Sequence, residues 1–108
     1  MLPSVVYLYP GNTEIVRITE LQDQLSGQFL QNANVFATLF DRRGNQDHVF
    51  QNIQLQYVAG TDGTYQGQVS GDFNASLGGG YTLVLNVEQA GIKAKYSIPA
   101  IVQLRKQQ

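Results

Sequence analysis

The sequence predicts an all-β domain closed as two packed antiparallel sheets. Short apolar runs alternate with period two along most of the chain, clusters of Gly, Asn and Asp punctuate them, and no stretch sustains a helical period. The chain of 108 residues suits a single domain, 1–108. At that size roughly two-thirds of the surface exposed by the unfolded form is buried.

Val5 to Tyr9 and Glu14 to Ile18 read as two short strands broken at Pro10-Gly11-Asn12, as though a first strand passes from one sheet to the other. Leu21 to Gln31 carries no alternation and reads as a loop. Val35 to Phe40 sets Val35, Ala37 and Leu39 on one face and Phe36, Thr38 and Phe40 on the other. The cluster Asp41-Arg42-Arg43-Gly44-Asn45 then predicts a turn into Gln46 to Phe50, and so a hairpin.

Ile53 to Tyr57 alternates again, and Gly60-Thr61-Asp62-Gly63 turns it into Thr64 to Val69, with both glycines suited to positive φ. Tyr81 to Val87 is the clearest strand, with Tyr81, Leu83, Leu85 and Val87 on one face. Ala90 and Gly91 turn it into Ile92 to Ile98, where Ile92, Ala94, Tyr96 and Ile98 point inward and the lysines outward. Pro99 limits ladder pairing and predicts an edge or bulge before Ala100 to Leu104. All pairings are expected to be antiparallel by hairpin logic, and a small barrel is the alternative closure.

Tyr81 follows Leu77-Gly78-Gly79-Gly80 at the start of the penultimate strand. That is the place of the corner tyrosine in immunoglobulin-like domains, whose hydroxyl bonds back to upstream backbone. A plain core tyrosine after a flexible loop accounts for the same residues. The expected fold class is therefore an immunoglobulin-like antiparallel β-sandwich of about seven to eight strands, with Tyr81 as a candidate structural residue.

The apolar fraction of 43% is ordinary, whereas the charged fraction of 14% is low, and Gln, Asn, Ser and Thr supply the polar surface. Net charge is −1, so the basic footprint of a nucleic-acid or anionic-membrane binder is missing, and neither partner is expected. With no cysteine there is no disulfide framework and no thiolate nucleophile. Met1 to Tyr9 lacks the basic start and apolar stretch of a secretion signal, and no run approaches the roughly 20 apolar residues of a membrane span.

Catalysis is not expected. His48 is the only histidine, beside Asp47 on a short polar run, and a lone His-Asp neighbour pair is more often a surface feature than an acid-base couple. Asp41, Asp47, Asp62 and Asp72 fall on separate loops without calcium-loop spacing and read as turn formers. Gly78-Gly79-Gly80 lacks the following helix and the Lys-Ser or Lys-Thr pair of a phosphate cradle, so it reads as a flexible loop. Asn74-Ala75-Ser76 matches a glycosylation acceptor, meaningful only in a secreted eukaryotic chain. No cofactor and no metal are expected.

Apolar residues on faces expected to be wet are the candidate interface: Phe36, Phe40, Val6 and Leu8. A covering loop, Leu21 to Gln31 with Leu25 and Phe29, is the competing explanation for Phe36 and Phe40. The tail Arg105-Lys106-Gln107-Gln108 reads as a solvated end or as an arm to a neighbouring subunit.

Three stretches carry a resemblance: Val6-Tyr7-Leu8-Tyr9-Pro10-Gly11-Asn12, the run from Asn32 to Asp41, and the run from Tyr57 to Gly67. Together they resemble small immunoglobulin-like virion proteins of tailed phages and prophages. Asn-Ala-x-Val and Asp-Gly-x-Tyr also occur in bacterial surface adhesins. The phage resemblance implies a non-enzymatic structural role: decorating or cementing the capsid, or forming part of the head-to-tail neck. Its implied partners are capsid or neck proteins, with copies of the chain as a possible homo-oligomer, and its implied location is the virion. The alternative is a binding module of an adhesin or carbohydrate-binding protein, in which Tyr65, Tyr7 and Tyr9 stack on a sugar in the absence of any Trp.

Overall fold

The computed structural model describes residues 5–9, 13–23, 26–73 and 77–103. Among them are seven strands and no helix: β1 (Val6–Leu8), β2 (Glu14–Ile18), β3 (Asn34–Phe40), β4 (Ile53–Tyr57), β5 (Tyr65–Val69), β6 (Gly78–Gln89) and β7 (Ile92–Val102). The all-β expectation holds. The strands form one mixed sheet in the order β1-β7-β6-β3-β4-β5-β2, curled into a half-barrel.

The curl is made at β4. Its first half, Ile53 to Leu55, pairs with β3, and its second half, Gln56 and Tyr57, pairs with β5. Close approach at this corner needs Gly67 on β5, where an added Cβ would sit 2.7 Å from the Gln54 carbonyl oxygen. The two short N-terminal strands lie at opposite edges of the sheet, β1 on β7 and β2 on β5, in keeping with a first strand that changes sides.

The β6–β7 hairpin agrees with its sequence pattern. Gln89 pairs with Ile92, and Ala90 and Gly91 form a two-residue turn with both φ angles positive, 53° and 80°. Tyr81, Leu83, Leu85 and Val87 are buried, as are Tyr96 and Ile98 on the partner strand. The register shift falls between Gly78 and Tyr81 on β6, opposite Val102 and Ala100, so the irregularity expected near Pro99 lies on the neighbouring strand. The β4–β5 pairing also matches, with positive φ at Gly60 and Gly63.

Three expectations are corrected. Not every pairing is antiparallel, for β1 runs parallel to β7, because no hairpin constrains strands so far apart in sequence. Gln46 to Phe50 turns back on β3 but is no strand: it makes one antiparallel bridge, Phe40 to Gln46, and two backbone bonds with Leu39, while β3 forms its ladders with β4 and β6. The ladder is cut short at Asp47, whose carboxylate accepts the Val49 N–H at 2.8 Å and the Phe50 N–H at 2.7 Å, curling the chain so that Phe50 enters the core. Gly78 to Gly80 is not a loop, but the start of β6. Arg42 holds it there, donating to the Gly79 carbonyl at 2.6 Å and the Leu77 carbonyl at 2.8 Å. An added Cβ at Gly80, where φ is 92°, would lie 2.8 Å from the Arg42 side chain.

The inner face of the curled sheet is the core, centred on Leu39, Leu55, Leu83, Leu85, Ile98 and Phe50, with Phe73 edge-on to Phe50 at 5.7 Å. The largest fully buried side chain is Tyr65. Its hydroxyl accepts the Ala33 N–H at 3.0 Å and donates to the Leu30 carbonyl at 2.8 Å, and burial pushes the phenol above its ordinary pKa. The Leu21 to Gln31 loop is tied to this side as well, through the Leu21 N–H to Gly63 carbonyl bond and the Tyr96 hydroxyl donating to the Gln22 carbonyl.

Candidate protein-interaction face

The outer face of β3, β6, β7 and β1 is assembled by register. Phe36 lies beside Asn86 and Lys95, Thr38 beside Val84 and Ser97, and Phe40 beside Thr82 and Pro99. On the outermost strand Tyr7 stands next to Ile101. Pleating sends these side chains away from the core, with Phe36 and Phe40 about 13 Å apart along β3. Phe36, Phe40, Val84 and Ile101 are half-buried, and Pro99 and Tyr7 are exposed, Tyr7 at 47%. The face is thus apolar in patches, with Lys95, Ser97, Thr82 and Asn86 between them.

Part of the face is already covered, though not by the loop the sequence suggests. Thr38, between the two phenylalanines, is 3% exposed, and its hydroxyl oxygen accepts the Asn52 N–H at 2.9 Å. The connection from Asp41 to Asn52 therefore rests against the middle of β3. In the Leu21 to Gln31 loop, Leu21 is a core residue, Phe29 is partly exposed and Leu25 lies outside the described residues.

Of the four candidate interface residues, Phe36 and Phe40 are on the outer face. Leu8 is not: at 2% exposure it belongs to the core, and Val6 packs against that core. The reason is parity, since Tyr7 faces outward with Ile101, which turns its neighbours Val6 and Leu8 inward. Sequence reasoning missed Tyr7, Val84 and Ile101. The signal for Tyr7 was chemical, because an amphipathic phenol tolerates water where Val and Leu do not.

Tyr81 is a buried structural residue at 6% exposure, with the Arg42 guanidinium 4.9 Å from its ring centroid. Tyr65 bonds upstream backbone at Leu30 and Ala33, and Tyr96 does so at Gln22. Being fully buried, Tyr65 is also unable to stack on a sugar.

A depression of about 500 Å³ gathers Asp41, Asp47, His48 and Tyr81, of which the sequence placed only Asp47 and His48 side by side. Its carboxylates serve the backbone. Asp47 holds the Val49 and Phe50 N–H groups, and Asp41 accepts the N–H groups of Asn45 and Arg43, each at 2.9 Å. The Asn45 N–H, followed by the Arg43 N–H and charge, holds the Asp41 carboxyl below its ordinary pKa. Among the described residues no three His, Cys, Asp or Glu side chains group as metal ligands, and no helix is long and apolar enough to cross a membrane. The Pro10-Gly11-Asn12 break, Asn74-Ala75-Ser76 and the tail from Arg105 lie outside the described residues. No family model, no curated protein and no solved structure matches the chain.

Proposed function

We propose that this chain is a non-enzymatic structural protein of a tailed-phage virion, an immunoglobulin-like domain that docks on capsid or neck proteins through the outer face of β3, β6 and β7. The observation that carries the docking role is the pair Phe36 and Phe40, kept partly open to solvent on the outer face of the sheet among Val84, Pro99 and Ile101. Strand order supports the fold assignment: β3, β6 and β7 stand together as C, F and G do in an immunoglobulin sandwich, and β2, β5 and β4 as B, E and D do. The bridge from β3 to β4 joins the two sets. The phage assignment itself draws on the sequence resemblance.

Two aromatic anchors contribute a few kcal/mol per copy, a weak contact singly that suffices when many copies engage a symmetric particle. Quantitative mass spectrometry of purified particles tests the assignment. A copy number comparable to the major shell protein indicates decoration, one ring's worth indicates the neck, and absence from particles overturns the reading. Replacing Phe36 and Phe40 together with Ser is expected to abolish incorporation while the circular dichroism spectrum is retained.

A further inference from the structure

Of the five aspartates in the chain, four spend their carboxylates on local hydrogen bonds. Asp23 accepts the Ser26 N–H and hydroxyl, Asp41 the Arg43 and Asn45 N–H groups, Asp47 those of Val49 and Phe50, and Asp72 the Ser70 hydroxyl. Asp62 is the exception. It is exposed in the turn between β4 and β5, and among the described residues its carboxylate accepts no hydrogen bond and enters no ion pair. Its neighbours hold the turn instead. The Val58 N–H donates to the Thr64 carbonyl at 2.9 Å, and the Thr61 hydroxyl donates to the Val58 carbonyl at 2.6 Å. The Tyr57 hydroxyl donates to the Thr61 carbonyl, also at 2.6 Å.

Asp62 is also set apart by the residue that follows it. The other aspartates precede Gln24, Arg42, His48 and Phe73, whose side chains hinder approach to the next amide nitrogen, whereas Asp62 precedes Gly63. The Gly63 carbonyl accepts the Leu21 N–H at 3.0 Å, while its own N–H enters no backbone bond among the described residues. An uncommitted carboxyl next to an unhindered amide nitrogen is the pair that closes a five-membered imide ring.

Gly63 is, besides, a place where the backbone has no room to lengthen. An added Cβ there would lie 2.6 Å from the Leu21 carbonyl oxygen and 2.7 Å from the Leu21 nitrogen, so the two stretches of main chain are in direct contact. Leu21 is fully buried, and its carbonyl accepts the Leu30 N–H at 2.8 Å. The Gly63 contact thereby helps to fix the loop from Leu21 to Gln31.

We propose that Asp62 and Gly63 form a self-modifying site, at which the peptide bond passes from the α- to the β-carboxyl of Asp62 without an enzyme. The Gly63 nitrogen attacks Cγ of the protonated Asp62 carboxyl. A C–N bond forms, the carboxyl OH leaves with the amide proton as one water, and a succinimide closes. Water then adds to the Asp62 main-chain carbonyl, the original bond to Gly63 breaks, and the chain continues through Cγ beside a free α-carboxylate. Composition is unchanged, but the backbone is longer by one carbon. That atom displaces Gly63 from Leu21 and loosens the loop that Leu21 anchors. The site is a slow clock built into the β4–β5 turn, and it stands whether or not the protein belongs to a virion.

The test is prolonged incubation of the intact, folded protein at mildly acidic pH, followed by peptide mapping and methylation with an isoaspartyl methyltransferase. The β-linked form is expected to accumulate at position 62 above every other aspartate, through an intermediate lighter by one water. Asp62→Glu, which could close only a less favourable six-membered ring, is expected to abolish the signal, and Asp62→Asn to hasten it with release of ammonia. Both substitutions fall at an exposed position and are expected to leave the melting temperature of fresh protein unchanged. In the aged protein, amide exchange at Leu21 is expected to be faster and the melting temperature lower. Absence of the β-linked form at position 62, equal accumulation at the other aspartates, or aged protein in which Leu21 exchanges as before each overturns the proposal.

Discussion

The β6–β7 hairpin and the connection from Asp41 to Asn52 both look like strand-turn-strand in sequence, yet only the hairpin is one. In the hairpin, alternation, a two-residue turn and ladder register all act in the same direction, and Gln89 opposite Ile92 fixes the rest of the pairing. In the connection the ladder stops at one bridge, Phe40 to Gln46, with the Asp47 N–H on the Leu39 carbonyl and the Leu39 N–H on the Phe50 carbonyl, while Asp41 and Asp47 accept other backbone N–H groups and Thr38 accepts one from Asn52. The difference teaches that an acid within the returning segment can capture the donors a ladder would use.

That contrast is broken most severely at its buried end. Phe50 is fully buried and meets Phe73 edge-on, so Phe50→Ala is expected to cost about 3–5 kcal/mol in urea unfolding. It would identify the connection as part of the core, not a surface appendage. A loss under about 1 kcal/mol would mean that the connection is not anchored there.

Asp47 is the next test. Asp47→Ala removes the acceptor of two N–H groups and is expected to cost about 1–3 kcal/mol, whereas Asp47→Asn, which keeps a carbonyl oxygen, retains most of the stability. Equal losses for both variants would assign the effect to charge rather than to capture of the backbone.

The smallest effect sharpens the other side of the comparison. Ala90 sits at φ 53°, a conformation that Asn adopts more readily than Ala, so Ala90→Asn is expected to stabilise the hairpin by up to about 1 kcal/mol. A rise in thermal midpoint without change in Phe50 accessibility would show the two regions to be energetically separable.

Strand content, the β4–β5 and β6–β7 hairpins, and the inward set on β6 were legible because each is decided within about a dozen residues. The parallel β1–β7 pairing, the division of β4 between two neighbours and the inward turn of Leu8 were not, because each depends on a partner distant in sequence. The candidate face was half legible. Phe36 and Phe40 followed from alternation on one strand, while Tyr7, Val84 and Ile101 join them only once the strands are placed side by side. Likewise the backbone ties made by the Tyr65 hydroxyl at Leu30 and Ala33 and by the Tyr96 hydroxyl at Gln22 were not legible, since a single hydroxyl finds its partner only in three dimensions.

The parallel join of β1 to β7 also governs how the domain bears load. Because the two strands point the same way, tension drawn through the chain before Val6 and beyond Val102 pulls them past each other lengthwise. The hydrogen bonds between them, including that from Gln103 to Leu8, then resist together in shear instead of opening one at a time like a zip. A domain tethered at both ends is thereby toughest along the line on which its neighbours would tug.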